Sequence, residues 1–179
     1  MRAYPDERAN GFEPPPTTFT DAHGRNIRID AYDDEDRAAL SEMYVAFDPA
    51  DRAQGIPPTS EAAVDEWLDI ILDGSYNVVA THGTDCIGHA TLVPDGGEDE
   101  NEEGGKAYEL AIFVLDTHQQ AGIGSHLLES LLGHAQRDGA EFVWLTVERW
   151  NRAAIALYRK FGFETCDAES FELEMSLRL

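Results

Sequence analysis

The sequence predicts one mixed α/β domain, on three observations. Segments of alternating apolar residues are interleaved with segments whose apolar residues recur at helical spacing. Hydrophobic residues make up 42% of 179 residues, a globular share in a length that suits one sizeable core rather than two. In the C-terminal half a strand runs through a glycine-containing turn into a helix, as an α/β unit requires.

The elements follow in order. Residues 1–20 are polar and carry three consecutive prolines at 14–16, which exclude a helix or a central strand. They form an N-terminal arm, and 21–179 the domain. The stretch 24–32, GRNIRIDAY, alternates as a first strand. Over 33–47, Asp33 or Asp34 caps a helix whose apolar face is Leu40, Met43, Tyr44 and Phe47. The Pro- and Gly-containing 48–60 is a loop. A second helix spans 61–74, with Val64, Trp67, Leu68 and Ile71 inward and Gly74 as its stop. Strands 76–81 and 86–93 flank a turn at 82–85 and make a hairpin. An acidic, glycine-rich loop, 94–106, leads to a buried strand at 107–114. Past Gly124, residues Leu127, Leu128, Leu131, Leu132 and Ala135 stripe a helix that ends near Gly139. A short strand at 142–147, a helix at 151–161 capped by Asn151, and a closing strand at 170–179 complete the chain.

The net charge is −22, from 35 acidic and 13 basic residues. Such a surface repels nucleic acid and anionic membranes. Acids spread along the whole chain, with only Lys106 and Lys160 as lysines, favour adaptation to high salt over a local funnel for cationic substrates. The N-terminus does not read as a secretory signal, and no apolar run approaches membrane-spanning length. The expectation is a cytoplasmic, halophilic protein. Cys86 and Cys166 sit in strand-like contexts and read as reduced thiols. The histidines lack ligand spacing with cysteine, so no metal site is expected; His126 and His134 read as exposed or close to a ligand at the mouth of their helix.

The turn 117–124, THQQAGIG, places Gly122 and Gly124 at a helix mouth. Free N–H groups and the helix dipole there make an anion site that glycine lets a phosphate approach. A P-loop would end in Gly-Lys-Ser/Thr, but Gly124 is followed by Ser125-His126. A dinucleotide fingerprint would have a third glycine where Leu127 stands. A pyrophosphate of another kind, such as that of coenzyme A, remains.

Gln119-x-x-Gly122-x-Gly124 after a strand resembles the Q/R-x-x-G-x-G/A signature of the GNAT superfamily of acyl-CoA-dependent N-acetyltransferases, with Asp116 where a proline is usual. A second block, Val147, Asn151, Ala154, Leu157, Tyr158, Gly162 and Phe163, resembles V-x-x-x-N-x-x-A-x-x-L-Y-x-x-x-G-F. The resemblance covers roughly 24–179. It implies a mixed, mostly antiparallel sheet of six to seven strands with about four helices. A bulge would splay the 107–114 strand from the 142–147 strand.

The resemblance also implies roles. Gln119, Gln120, Ala121, Gly122, Ile123, Gly124 and Ser125 would hold the pyrophosphate of acetyl-CoA. Ile112, Phe113 and Val114 would pair with pantetheine, and an N–H near Val114 would polarise the thioester carbonyl. Attack by a primary amine needs a proton acceptor, and expulsion of the thiolate benefits from a donor. Tyr158 matches the family's acid, and Glu109 resembles the base of its protein-lysine branch. His118 and His89 are weaker candidates. Asn151 would touch substrate, coenzyme or water. The acceptor is a protein lysine or a small amine. The alternative is a non-catalytic acyl-CoA sensor. A homodimer through the closing strand is compatible with the pattern.

Overall fold

The computed structural model describes residues 2–47, 57–95, 105–168 and 171–179, with nothing said of the side chain of Ala168. Most of the expected loops 48–60 and 94–106 therefore lie outside the described residues. Eight strands form one sheet: β1 Thr17–Thr20, β2 Asn26–Ala31, β3 Tyr76–His82, β4 Asp85–Pro94, β5 Ala107–Val114, β6 Phe142–Glu148, β7 Glu164–Ala168 and β8 Glu172–Arg178. Their order is β1-β2-β3-β4-β5-β6-β8-β7. The described pairs are antiparallel except β5 with β6. The sheet thus exceeds the expected six to seven strands; the two edge strands, β1 and β7, are not among the six read along the sequence. Both are short, and among their described side chains none is buried.

The helices are α1 Arg37–Val45, α2 Glu61–Leu72, α3 Ile123–Arg137 and α4 Arg152–Lys160. A 3-10 turn at Asp34–Asp36 precedes α1. Asp33 and Asp36 form a reciprocal capping box there, satisfying donors that a helix start leaves orphaned. Ser60 caps α2 and Asn151 caps α4 through their side-chain oxygens. Leu40, Met43, Tyr44 and Phe47 are buried as their spacing predicts, and so are Val64, Leu68 and Ile71.

The core has two layers. On one face α3 packs Leu127, Leu128, Leu131 and Leu132 against Ile29, Val78, Ala90 and Leu110. On the other, α1 and α2 cover Val79, Cys86 and Phe113. Strand β5 alternates between the layers: Tyr108, Leu110, Ile112 and Val114 belong to the first, Ala111 and Phe113 to the second. Its register against β4 is unbroken from Tyr108 to Val114. The expected bulge is therefore absent from β4–β5; register shifts occur between β3 and β4 at Ala80/Thr81 and between β7 and β8 at Thr165/Asp167. The splay is present nonetheless. Strands β5 and β6 pair only over 107–109 and 142–144, and beyond them they part.

The N-terminal arm is docked on the domain. Ala9 N–H donates to the Arg178 carbonyl at 2.7 Å, and Gln136 donates to the Ala9 carbonyl at 2.8 Å. Tyr4 packs on Phe142 at 4.8 Å between ring centres, and Phe12 on Phe161 at 6.1 Å. Where the arm crosses α3, a Cβ on Gly133 would stand 2.7 Å from the backbone of Glu13 and Pro14. Only glycine admits so close an approach.

Candidate active site

The parting of β5 from β6 opens a cavity of about 470 Å³. Its floor is Leu110 to Val114 of β5, and its far wall is Thr146 to Glu148 of β6 with Asn151, Ala154 and Tyr158. Phe47, Trp67 and Ile71 from the α1/α2 side, with Thr91, Val93 and Glu109, form the other end. Glu109, Ile112, Phe113, Val114, Gln119, Asn151 and Tyr158, all singled out in the sequence, line this one space. It runs through the sheet, so a molecule entering beside α3 and α4 can meet one entering beside α1 and α2.

The glycine turn stands at the α3 end. Gly122, the N-cap of α3, has φ +87°, and Gln120 has φ +55°. Glycine takes the first angle at no steric cost; Gln120 is held in a region that side chains rarely adopt. A Cβ added at Gly122 or Gly124 would meet nothing within 4 Å, which leaves the mouth of α3 open to a bulky anion. The β1–β2 turn braces this loop. Ala22 N–H donates to the Ala121 carbonyl at 3.2 Å, and Arg25 donates to the Thr117 carbonyl at 2.9 Å. Arg25 is itself fixed by Asp21. Burial alone would raise the Asp21 carboxyl, but hydrogen bonds from Arg25 and the His23 backbone hold it down at about 2. Lys160, which the sequence reading passed over, brings its ammonium 3.5 Å from the Ser125 hydroxyl. One of two lysines in a chain of net charge −22 thus stands beside the loop.

Gln119 donates from its side-chain amide to the Val114 carbonyl at 3.0 Å. That carbonyl therefore faces the gap, and in extended backbone the N–H of the same residue points to the same edge. Tyr158 lies across the gap, and burial pushes its phenol up to about 12. It keeps its proton at any neutral pH. Glu109 is an exposed residue of β5, yet the partial burial of its carboxyl first, and then Asp95, raise it above the usual range, while Arg2 opposes them. Asn151 accepts from Ala154 N–H at 3.2 Å as the cap of α4 while also lining the cavity.

The histidines are placed elsewhere. His89 is fully buried between the Tyr44 hydroxyl (2.6 Å) and the Asn77 side-chain oxygen (2.9 Å). Burial drops its imidazole to about 3. Asn77 can only accept through that oxygen, so Nε2 carries the hydrogen and Nδ1 accepts from Tyr44. His118 faces His82 at 3.3 Å and is not in the cavity lining. His126 and His134 pack on Phe19 and Tyr76 rather than standing free. Burial pushes the Cys86 thiol up to about 12 and raises that of Cys166 as well, which makes both poor nucleophiles.

The sequence reading missed part of the cavity. Phe47 and Trp67 were read only as core. Glu148 adjoins Val147 of the second block, and period-2 alternation would have turned it to the face of Glu109. Thr91 carried no signal. It is 1% exposed, and its hydroxyl has no partner among the described residues.

The sequence model of the acetyltransferase (GNAT) family matches residues 37–163, and the chain belongs to that family. It is 30% identical over 150 residues to the mycothiol acetyltransferase of Saccharomonospora viridis, covering 82% of this chain and 48% of that one. It is 24% identical over 144 residues to the spermine/spermidine N(1)-acetyltransferase of Bacillus subtilis, covering 78% and 88%. The chain spans about half, 54% and 48%, of the first curated relatives it matches. Among solved structures, the GNAT domain of S. lividans PAT superposes with a TM-score of 0.73 at 20% identity, covering 92% of this chain and 97% of that one. The yncA structure from Salmonella typhimurium, which holds acetyl-CoA, superposes at 0.65 and 23% identity, covering 86% and 94%. At these identities the structures share the fold.

Proposed function

We propose that the chain is an acetyl-CoA-dependent N-acetyltransferase that transfers the acetyl group directly to a primary amine. The observation that carries this is the single cavity through the sheet. At Gln119 it adjoins the turn that leads to the open mouth of α3, and its other end is a carboxylate-bearing pocket beside α1 and α2. The pyrophosphate meets the N–H groups of residues 120–125, with Ser125 and Lys160 beside it. Pantetheine extends along Ile112 to Val114. The Val114 N–H faces the thioester carbonyl and stabilises the oxyanion as the amine attacks. Glu109 takes the ammonium proton, directly or through water, and passes it to solvent; Tyr158 gives its proton to the departing thiolate and is reprotonated by the second proton that the acylated nitrogen sheds. A neutral thiol and a neutral amide result, with one proton released.

The lining also supports a class of acceptor. Phe47, Trp67, Ile71 and Val93 are apolar, Glu109 and Glu148 are acidic, and among the described residues the lining contains no lysine, arginine or histidine. An amine on an apolar stem fits such a pocket; a free amino acid, with its carboxylate, does not. The test is thiol release from acetyl-CoA with spermidine, a lysine amide, a peptide amine and free glutamate as acceptors. Release with the first group and little with glutamate is expected. Release with glutamate alone would overturn the acceptor assignment.

A further inference from the structure

Arg2, in a segment that composition marks only as a polar tail, sits behind the acceptor pocket. Its guanidinium lies 3.5 Å from the centre of the Trp144 ring, and Trp144 is the register partner of Glu109 across β5 and β6. The same group reaches Asp95 at 3.1 Å and Glu174 at 2.9 Å. Only 20% of its side chain is exposed. The arm is anchored there by a second contact, since Ser176 donates to the Ala3 carbonyl at 2.7 Å. Such a stacked, two-pronged grip holds a guanidinium far better than a surface lysine would be held.

The grip has an electrostatic consequence for Glu109. Asp95, beyond β4, raises the Glu109 carboxyl and Arg2 opposes it. Glu148 and Glu174 share the sheet face of Glu109, and so does Arg178 by the alternation of β8. Without Arg2, partial burial and Asp95 would favour the protonated form of Glu109 more strongly.

We propose that Arg2 is a positioning residue of the acceptor site: the N-terminal arm docks its guanidinium over Trp144, the strand neighbour of Glu109, and thereby favours the charged form of that carboxylate. The functional consequence rests on Glu109 as base; the electrostatic one does not. The direct test is a carboxyl ¹³C NMR titration of Glu109, assigned by its loss in Glu109→Gln, in the parent chain and in Arg2→Gln and Arg2→Lys. The Glu109 midpoint should rise by about one pH unit in Arg2→Gln and return towards the parent value in Arg2→Lys. The acid limb of kcat/KM for the amine should rise with it, while KM for acetyl-CoA stays unchanged. Arg2 lies near the chain end, so retained melting temperature is checked first; removal of residues 1–3 serves as a second charge-deleting variant. An unchanged Glu109 midpoint in both folded variants would overturn the inference. If Glu109→Gln keeps full kcat, the base assignment falls, and the titration still decides where Arg2 acts.

Discussion

At the scale of the residue, Tyr158 and His89 show how burial assigns different work to titratable groups. Tyr158 lines the cavity, and its phenol, pushed up to about 12, stays a proton donor. Tyr158→Phe should lower kcat by roughly 10²-fold or more and leave acetyl-CoA affinity within about twofold, as measured by calorimetry. Loss of affinity instead would make the tyrosine a binding group. His89 is sealed away from the cavity, and its role is structural. Its imidazole falls from 6.5 to about 3 on folding. The unfolded chain therefore binds a proton that the folded one refuses. The stability this contributes is complete above about 6.5 and is lost as pH falls towards 3, by up to roughly 1.4 kcal/mol per pH unit. His118 and His134, also depressed, act in the same direction more weakly. Chemical denaturation between pH 7 and 5 should show a shallower decline in His89→Gln than in the parent. Equal slopes would contradict the assignment.

At the scale of the element, two glycines of α3 make separable predictions. A side chain at Gly124 meets open space. Gly124→Leu should therefore leave the melting temperature nearly unchanged, yet weaken acetyl-CoA binding at least tenfold by filling the cradle. Gly133 is the opposite case. Gly133→Leu should push the arm off α3, lower stability by about 1–3 kcal/mol and expose residues 1–16 to proteolysis. Calorimetry and limited digestion read both. These elements also show what the sequence made legible. The helical stripes of α1, α2 and α3 and the alternation of β2 were readable because each buries one face, and β3 to β5 as apolar runs because the sheet is covered on both. Edge strands β1 and β7 were not, because Phe19 alone or ETCDA carries too little burial to impose a period. The glycine turn and Tyr158 were readable as motifs. Thr91, Trp67 and Arg2 were not, because their positions come from tertiary packing between distant segments. The splay was foreseen, but the bulge expected with it is not in the β4–β5 register.

At the scale of the whole molecule, a net charge of −22 on 179 residues makes stability depend on screening. At 1 M salt the Debye length is about 3 Å, short enough to suppress repulsion across the surface. The melting temperature should rise steadily between 0.1 and 2 M potassium chloride; a flat response would remove salt adaptation as the reason for the charge. The central claim is that one cavity through the sheet holds acetyl-CoA and an amine together. Initial rates of thiol release, with acetyl-CoA and amine both varied at high salt, test it most directly. A ternary complex with direct transfer predicts amine-dependent release and double-reciprocal lines that intersect. Parallel lines, or no amine-dependent release from a chain that still binds coenzyme A, would contradict it.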